Sequence, residues 1–197
     1  MDFVGPDLSQ PANTISSFKL SGLLESAIPA SNAPYDDLDI LNMLRVKMIS
    51  HHSGDRGWEV FSLEYNSRDP LNTILTKSMM ASYLKFFNFL WKLKHVEHAL
   101  SATWQTMNPN CSIARILATR DSGGKQQLVA MLRLCQTLRN EMNHFVANMQ
   151  YYIMFKVLEY SWVEFLDEME EERDLDELPV AHERYLNAIV ERPLMGE

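Results

Sequence analysis

The stretch YLKFFNFLWKLKHVEHAL, residues 83–100, constrains the fold of this chain more than any other. Placed on a helix at about 100° per residue, it leaves only a narrow polar strip: Lys85, Asn88, Lys92, His95 and Ala99. Apolar side chains occupy roughly 240° of the circumference, where a surface helix needs little more than about 100°. One neighbour cannot cover so wide an arc. The spacing therefore predicts a central helix of a bundle, opened by Thr73 or Thr76 and ending before Asn108 and Pro109.

A second long helix is expected from about Gln126, with apolar residues at heptad-like spacing: Leu128, Met131 or Leu132, Cys135, Leu138, Met142, Phe145, Met149 and Tyr152 or Ile153. It runs on toward Trp162 and into DEMEEERDLDE, a like-charge run expected to be a solvated end. Between the two helices, NPNCSIARILATRDSGGKQQ reads as a loop with one helical turn. A last helix is expected over residues 175–190, with Pro179 tolerated in its first turn. Upstream, residues 1–14 read as a disordered lead-in, residues 15–28 as a helix, and LDILNML as a short helix capped by Asp36 or Asp37. RVKMISHHSGDRGWEVFSLEY is the one β region, a hairpin whose Gly54 and Gly57 permit positive φ. The fold class is thus mainly α: a helical bundle with two long central helices and one small β-hairpin.

Charge narrows the function. The net charge of −8 is segregated: residues 1–76 carry 5 basic and 10 acidic side chains, residues 77–140 carry 9 and 2, and residues 141–197 carry 4 and 14. A cationic middle between anionic ends does not suit a nucleic-acid binder, whose basic footprint would dominate. It suits an acidic protein partner on the middle segment, or neutralisation within the molecule. Two cysteines, Cys111 and Cys135, fit a reduced intracellular protein better than a disulfide framework. The acidic N-terminus lacks a signal-peptide layout, and the longest uncharged apolar stretch, residues 142–155, is too short for a membrane span.

Catalytic chemistry is not visible. The sharpest metal candidate is HVEH, where His95 and His98 sit three apart with Glu97 between them and His144 in possible support. No H-E-x-x-H and no nearby cysteine pair accompanies it, and the two rings lie about 60° apart on a helix, so a solvated pair is the competing reading. His51 and His52 are adjacent and would point to opposite faces of a strand. RDSGGKQQ lacks the spacing of a phosphate loop. No cofactor is implied. The cluster Tyr151, Tyr152, Phe155, Tyr160 and Trp162 suits either helix packing or an interface.

Four blocks, LLESAIPASNAPYDDLDIL, GDRGWEVFSLEY, PLNTILTKSMMASYLKFFNFLWKLKHVEHAL and EMNHFVANMQYYIMFKVLEYSW, together resemble the gamma-tubulin complex proteins in order and spacing. The runs from Trp58 to Tyr65 and from Phe87 to Trp91 are the most specific, and the likeness covers residues 18–192. It implies the first portion of that family's C-terminal domain over residues 15–197, truncated, without the lateral-assembly domain or the later helices. It further implies a non-enzymatic scaffold at microtubule-organising centres and spindle poles in the cytoplasm. The implied partners are gamma-tubulin and other gamma-tubulin complex proteins, with no nucleic acid and no membrane. Gamma-tubulin is acidic, so Lys85, Lys92, Arg115 and Arg120 are the candidate contact residues. Two alternatives stay open: a helical metal-binding protein using His95 and His98, and a fragment that binds nothing.

Overall fold

The computed structural model describes residues 8–28, 41–49, 52, 54–69, 71–118, 123–171 and 177–192. It is mainly helical with one small antiparallel sheet. Helix α1 is Ser17–Ala27, strand β1 Leu44–Met48, the helical turn α2 Gly57–Val60, strand β2 Phe61–Tyr65 and the turn α3 Leu71–Ile74. The long helices follow: α4 is Lys77–Ala118 and α5 is Gly123–Tyr151, continued by a π-helical segment Tyr152–Glu159 into α6, Tyr160–Glu171. Helix α7, Leu178–Glu191, comes last. The chain divides into two compact units, Met1–Trp91 with Val157–Glu197, and Lys92–Lys156.

In the first unit the hairpin pairs Leu44 with Tyr65, Val46 with Leu63 and Met48 with Phe61. Alternation explains β1: Arg45 and Lys47 are exposed while their neighbours turn inward. The connection differs from a simple turn. Gly54 takes φ +115°, as expected, but Gly57 does not. Gly57 opens α2, which carries Trp58 and Val60 into the core from a helical turn and not from a strand. The backbone N–H of Arg56 donates to Glu59 Oε2 at 2.9 Å and closes that turn. A Cβ at Gly57 would stand 2.8 Å from the Leu8 carbonyl oxygen and 2.9 Å from Leu8 Cα. Close approach, not turn geometry, demands glycine there.

That contact corrects the expected disordered lead-in. Leu8 is fully buried, Ala12 nearly so, and Ala12–Thr14 form a 3₁₀ turn. Ala12 N–H donates to the Asp55 carbonyl at 2.8 Å, and Gly57 N–H to that of Gln10 at 3.1 Å. Residues 1–7 lie outside the described set, as do residues 36–40, which hold the expected cap and the start of the expected helix LDILNML; of its remainder Leu41 and Asn42 are helical and Leu44 already opens β1. Helix α1 is capped by Ser16, whose Oγ accepts from Lys19 N–H at 3.2 Å. It buries Leu20 but leaves Phe18 in water.

The N-terminal half of α4 packs on this hairpin. Thr76 caps it, its Oγ1 accepting from Met79 N–H at 3.4 Å. Trp91 lies 4.9 Å from Trp58 and 4.6 Å from Phe61 between ring centroids, and its indole N–H donates to the Trp58 carbonyl at 2.9 Å. Helix α7 covers α6: Phe165 meets His182 and Tyr185, while Arg192 donates to Ser161 Oγ at 2.8 Å and to Glu164 at 3.1 Å. Pro179 stands in the first turn of α7, where its missing N–H is no loss.

Two helix boundaries depart from expectation. Helix α4 does not stop before Asn108 and Pro109 but continues to Ala118, and α5 already begins at Gly123, so most of the expected loop is helical. A proline removes one intrahelical bond at a cost of about 3 kcal/mol, which propagation on both sides can outweigh. The run from α5 through α6 is continuous, as the periodicity predicts, with the π segment inside it. Among the described residues no helix is long and apolar enough to cross a membrane.

Candidate functional site

The four cations singled out by charge have different fates. Lys85 and Lys92 are exposed on α4, seven residues and thus two turns apart. Arg115 belongs to α4, but its side chain lies outside the described set, as does the whole of Arg120. Other cations of the middle segment are already engaged. Lys94 Nζ donates to Glu97 at 2.8 Å and approaches Gln150 Oε1 at 3.4 Å, while Gln150 donates to Glu97 at 2.8 Å. Burial alone would raise the Glu97 pKa, but the hydrogen bonds from Lys94 and Gln150 outweigh it and hold the carboxyl below its ordinary value. Arg139 is half-buried with its guanidinium 4.7 Å over the Trp104 ring. Lys77 and Arg133 are exposed, and charge position alone did not separate these from the engaged cations.

The histidine candidates do not assemble. Among the described residues no group of three or more His, Cys, Asp or Glu side chains could hold a metal ion. Glu97 is committed to Lys94 and Gln150, and His144 is exposed beside Asn148, 3.1 Å from it. His52 is exposed near Asp55, whose carboxylate accepts the His52 backbone N–H at 2.7 Å; His51 lies outside the described set.

A different histidine emerges that sequence reading missed. His182 is buried in the first unit, its Nε2 2.8 Å from the Tyr83 hydroxyl, with Phe165 and Tyr185 rings against it. Nothing in its local sequence marks it; only the docking of α7 makes it buried. Burial lowers its pKa below the ordinary 6.5. Burial first, and Tyr185 second, push the Tyr83 hydroxyl up to about 12. Because folded His182 resists protonation, the unfolded chain binds more protons once pH falls below about 6.5. The stability this neutral ring contributes is therefore complete above that value and is lost as pH falls through the folded pKa. Urea denaturation at stepped pH should show the decline, and His182→Phe should flatten it; an unchanged slope in that variant would refute the assignment.

Tyr151, Tyr152, Phe155, Tyr160 and Trp162, weighed above as helix packing or an interface, are each about half exposed or more, although Trp162 still meets the Phe165 and Tyr185 rings. The expected heptad face of α5 is exposed as well: Leu128 is 52% accessible, Met131 64%, Leu138 50%, Met142 53% and Phe145 64%. Of the alternatives at two of its positions, Ile153 is buried and Leu132 half-buried, on the side that also carries buried Val146 and half-buried Arg139. The described surface thus offers exposed cations on α4 and, within the second unit, a broad apolar stripe on α5, each of a kind suited to protein contact.

Relatives place this architecture. All residues, 1–197, match the family model described as gamma tubulin complex component C-terminal. The chain is 62% identical over 197 residues to gamma-tubulin complex component 3 of Arabidopsis thaliana, covering 100% of this chain and 24% of that protein. It is 38% identical over 195 residues to gamma-tubulin complex component 3 of Homo sapiens, covering 99% and 21%. To spindle pole body component alp6 of Schizosaccharomyces pombe it is 38% identical over 197 residues, covering 100% and 23%. The chain spans under a quarter of the length of these relatives. With a helical fold carrying one hairpin and a family match from end to end, this chain belongs to the gamma-tubulin complex component C-terminal family.

Proposed function

We propose that this chain is a gamma-tubulin-binding part of a scaffold subunit of the gamma-tubulin complex, working without catalysis in microtubule nucleation. The observation that carries this reading is the family match across all 197 residues, with 62% identity to a gamma-tubulin complex component over the whole chain. The name of the fungal relative supports a cytoskeletal, spindle-pole site of action and that of the plant relative a place beside other gamma-tubulin complex proteins; the proposal sets both in the cytoplasm. Residues 15–197 are, in this proposal, the first portion of a larger helical domain.

Lys85 and Lys92 are the contacts proposed from position and exposure. Arg115 and Arg120 are proposed on charge alone. Exposed cations steer an acidic partner and hold it modestly, each pair contributing about 0.2–1 kcal/mol. The test is retention of purified gamma-tubulin by this chain, and by a chimaera in which it replaces the matching segment of the Arabidopsis relative. Lys85→Glu with Lys92→Glu should weaken binding about 3- to 10-fold at low salt, with a smaller loss at high salt. No retention by either protein would end the binding reading. Full retention by the double variant would remove only the two lysines from it.

A further inference from the structure

Within the first unit, α7 meets α4 where His182 Nε2 lies 2.8 Å from the Tyr83 hydroxyl, while the imidazole Nδ1 is buried with no hydrogen-bond partner among the described residues. The ring is 6% exposed and is walled by Phe165 of α6 at 5.6 Å and by Tyr185 at 6.2 Å between ring centroids. Three and four residues from Tyr83 along α4 stand Met79, Met80, Phe86 and Phe87, none of them charged. The ionisable groups around the ring are therefore Tyr83, then Tyr185, Arg184, Arg192 and the exposed Glu183 on α7, and Glu164 and Glu168 on α6. Both α6 carboxylates are already bonded, Glu168 to Arg184 at 2.8 Å and Glu164 to Arg192 at 3.1 Å. Tyr83, pushed up to about 12 by burial and by Tyr185, stays a neutral hydroxyl. A protonated imidazole carries two N–H donors and a full charge. The Tyr83 oxygen can accept one donor; the other, at Nδ1, would be enclosed without an acceptor. Burying such an unpaired ion is far more costly than burying the neutral ring.

We propose that residues 178–185, the first half of α7, form a pH-sensitive latch that closes on α4 and α6 while His182 is neutral and unravels when the ring takes up a proton. The second half of the helix is seated independently. Leu186 and Ile189 are each 1% exposed, and Arg192 donates to Ser161 Oγ as well as to Glu164. The first half has less to hold it. Its buried side chains are Ala181 and His182, and Glu177 makes no side-chain capping bond at its start. The Arg184 and Glu168 side chains are 54% and 39% exposed, so water screens that pair and it adds little to closure. Two uncapped turns released from their partner do not keep a helix alone. Burial holds the folded ring below its ordinary 6.5, whereas the opened ring regains that value. Closure is therefore complete above about pH 6.5, and the opening constant climbs by up to tenfold per pH unit below it, until the enclosed ring itself titrates. This opening is local, unlike the decline of global stability with pH, and it is independent of gamma-tubulin binding.

The experiment is native-state amide hydrogen exchange of the 197-residue chain, read by NMR from about pH 7.5 to about pH 5 and corrected for the pH dependence of intrinsic exchange. The amides of residues 182–185 should exchange through an opening that sub-denaturing urea barely changes. Those of residues 186–191 should follow the steeper urea dependence of global unfolding. Below about pH 6.5 the opening constant of residues 182–185 should rise by up to tenfold per unit. His182→Phe should abolish that rise while keeping a ring at the position. Tyr83→Phe should raise opening about 2- to 10-fold at neutral pH by removing the hydrogen bond, and should keep the rise on acidification because the proton site remains. A urea dependence at residues 182–185 equal to that at 186–191 would show that α7 leaves only with the whole unit, and overturns the latch. So does a rise that survives His182→Phe. If the phenylalanine variant does not fold, the unaltered chain decides: the His182 ring resonance must titrate where residues 182–185 lose protection, and titration with protection intact overturns the proposal.

Discussion

Trp91→Ala is expected to destabilise the first unit by about 3 kcal/mol, the low end of the range for large aromatic truncations. The low end applies because the indole is half-buried and not fully enclosed. Three losses combine. The ring leaves Trp58 and Phe61, at 4.9 and 4.6 Å, and Phe87 at 5.9 Å; aromatic pairs are worth about 0.5–1.5 kcal/mol beyond area burial. The indole donor to the Trp58 carbonyl disappears, leaving that oxygen to find water. Finally, α4 loses the side chain that anchors it to the hairpin. Equilibrium denaturation followed by far-ultraviolet circular dichroism measures the change, and Trp91→Phe should recover part of it by restoring a ring without the N–H. A loss below about 1 kcal/mol would mean that α4 does not depend on this cluster.

Gly57→Ala should cost about 2–3 kcal/mol, as overpacking in a tight site does. The added Cβ would meet Ile15 Cδ1 at 2.5 Å, which a flexible side chain can relieve, but also Leu8 backbone atoms at 2.8 and 2.9 Å, which it cannot. The displaced segment would carry with it the hydrogen bonds joining Ala12 to Asp55 and Gly57 to Gln10. Leu8, fully buried, would be drawn toward water. Gly22→Ala is the control: nothing lies within 4 Å of its Cβ, and inside α1 the change should stabilise by up to about 1 kcal/mol. Opposite signs at two glycines of one unit are the expected result. Faster proteolysis of the N-terminal segment in Gly57→Ala would locate the damage; two neutral substitutions would exclude the close approach.

Much of the architecture was legible because helix formation is local. Residues 83–100 announced a long helix through composition and spacing, and the hairpin showed itself through alternation around Gly54. The cap at Thr76 and the place of Pro179 followed from backbone chemistry within a few residues. The errors lie where local rules meet neighbours distant in sequence. Gly57 was legible as a special glycine but not as a packing glycine, since Leu8 lies 49 positions away in the chain. Pro109 argued locally for an end that the cooperative helix overrode. The candidate site was less legible still. A lysine in the sequence is only a charge, and whether it is exposed, like Lys92, or half-buried and bonded, like Lys94 beside Gln150, depends on the helix that comes to lie beside it.

By itself the sequence determined that this chain is helical, acidic at its ends and cationic in its middle, with a hairpin ahead of two long amphipathic segments, and its motifs carried the family. Tertiary structure alone decided which apolar face is buried. Along α5 and its π-helical continuation most of the heptad stripe that periodicity nominates for the core faces water, while Ile153 and the adjoining Val146 are enclosed. The physical reason is that periodicity registers every apolar stripe equally, whereas burial requires a second surface at a particular angle. That angle is set by packing between residues far apart in the chain. His182 shows the same division: an ordinary histidine in the sequence becomes a neutral, enclosed partner of Tyr83 only through the docking of α7.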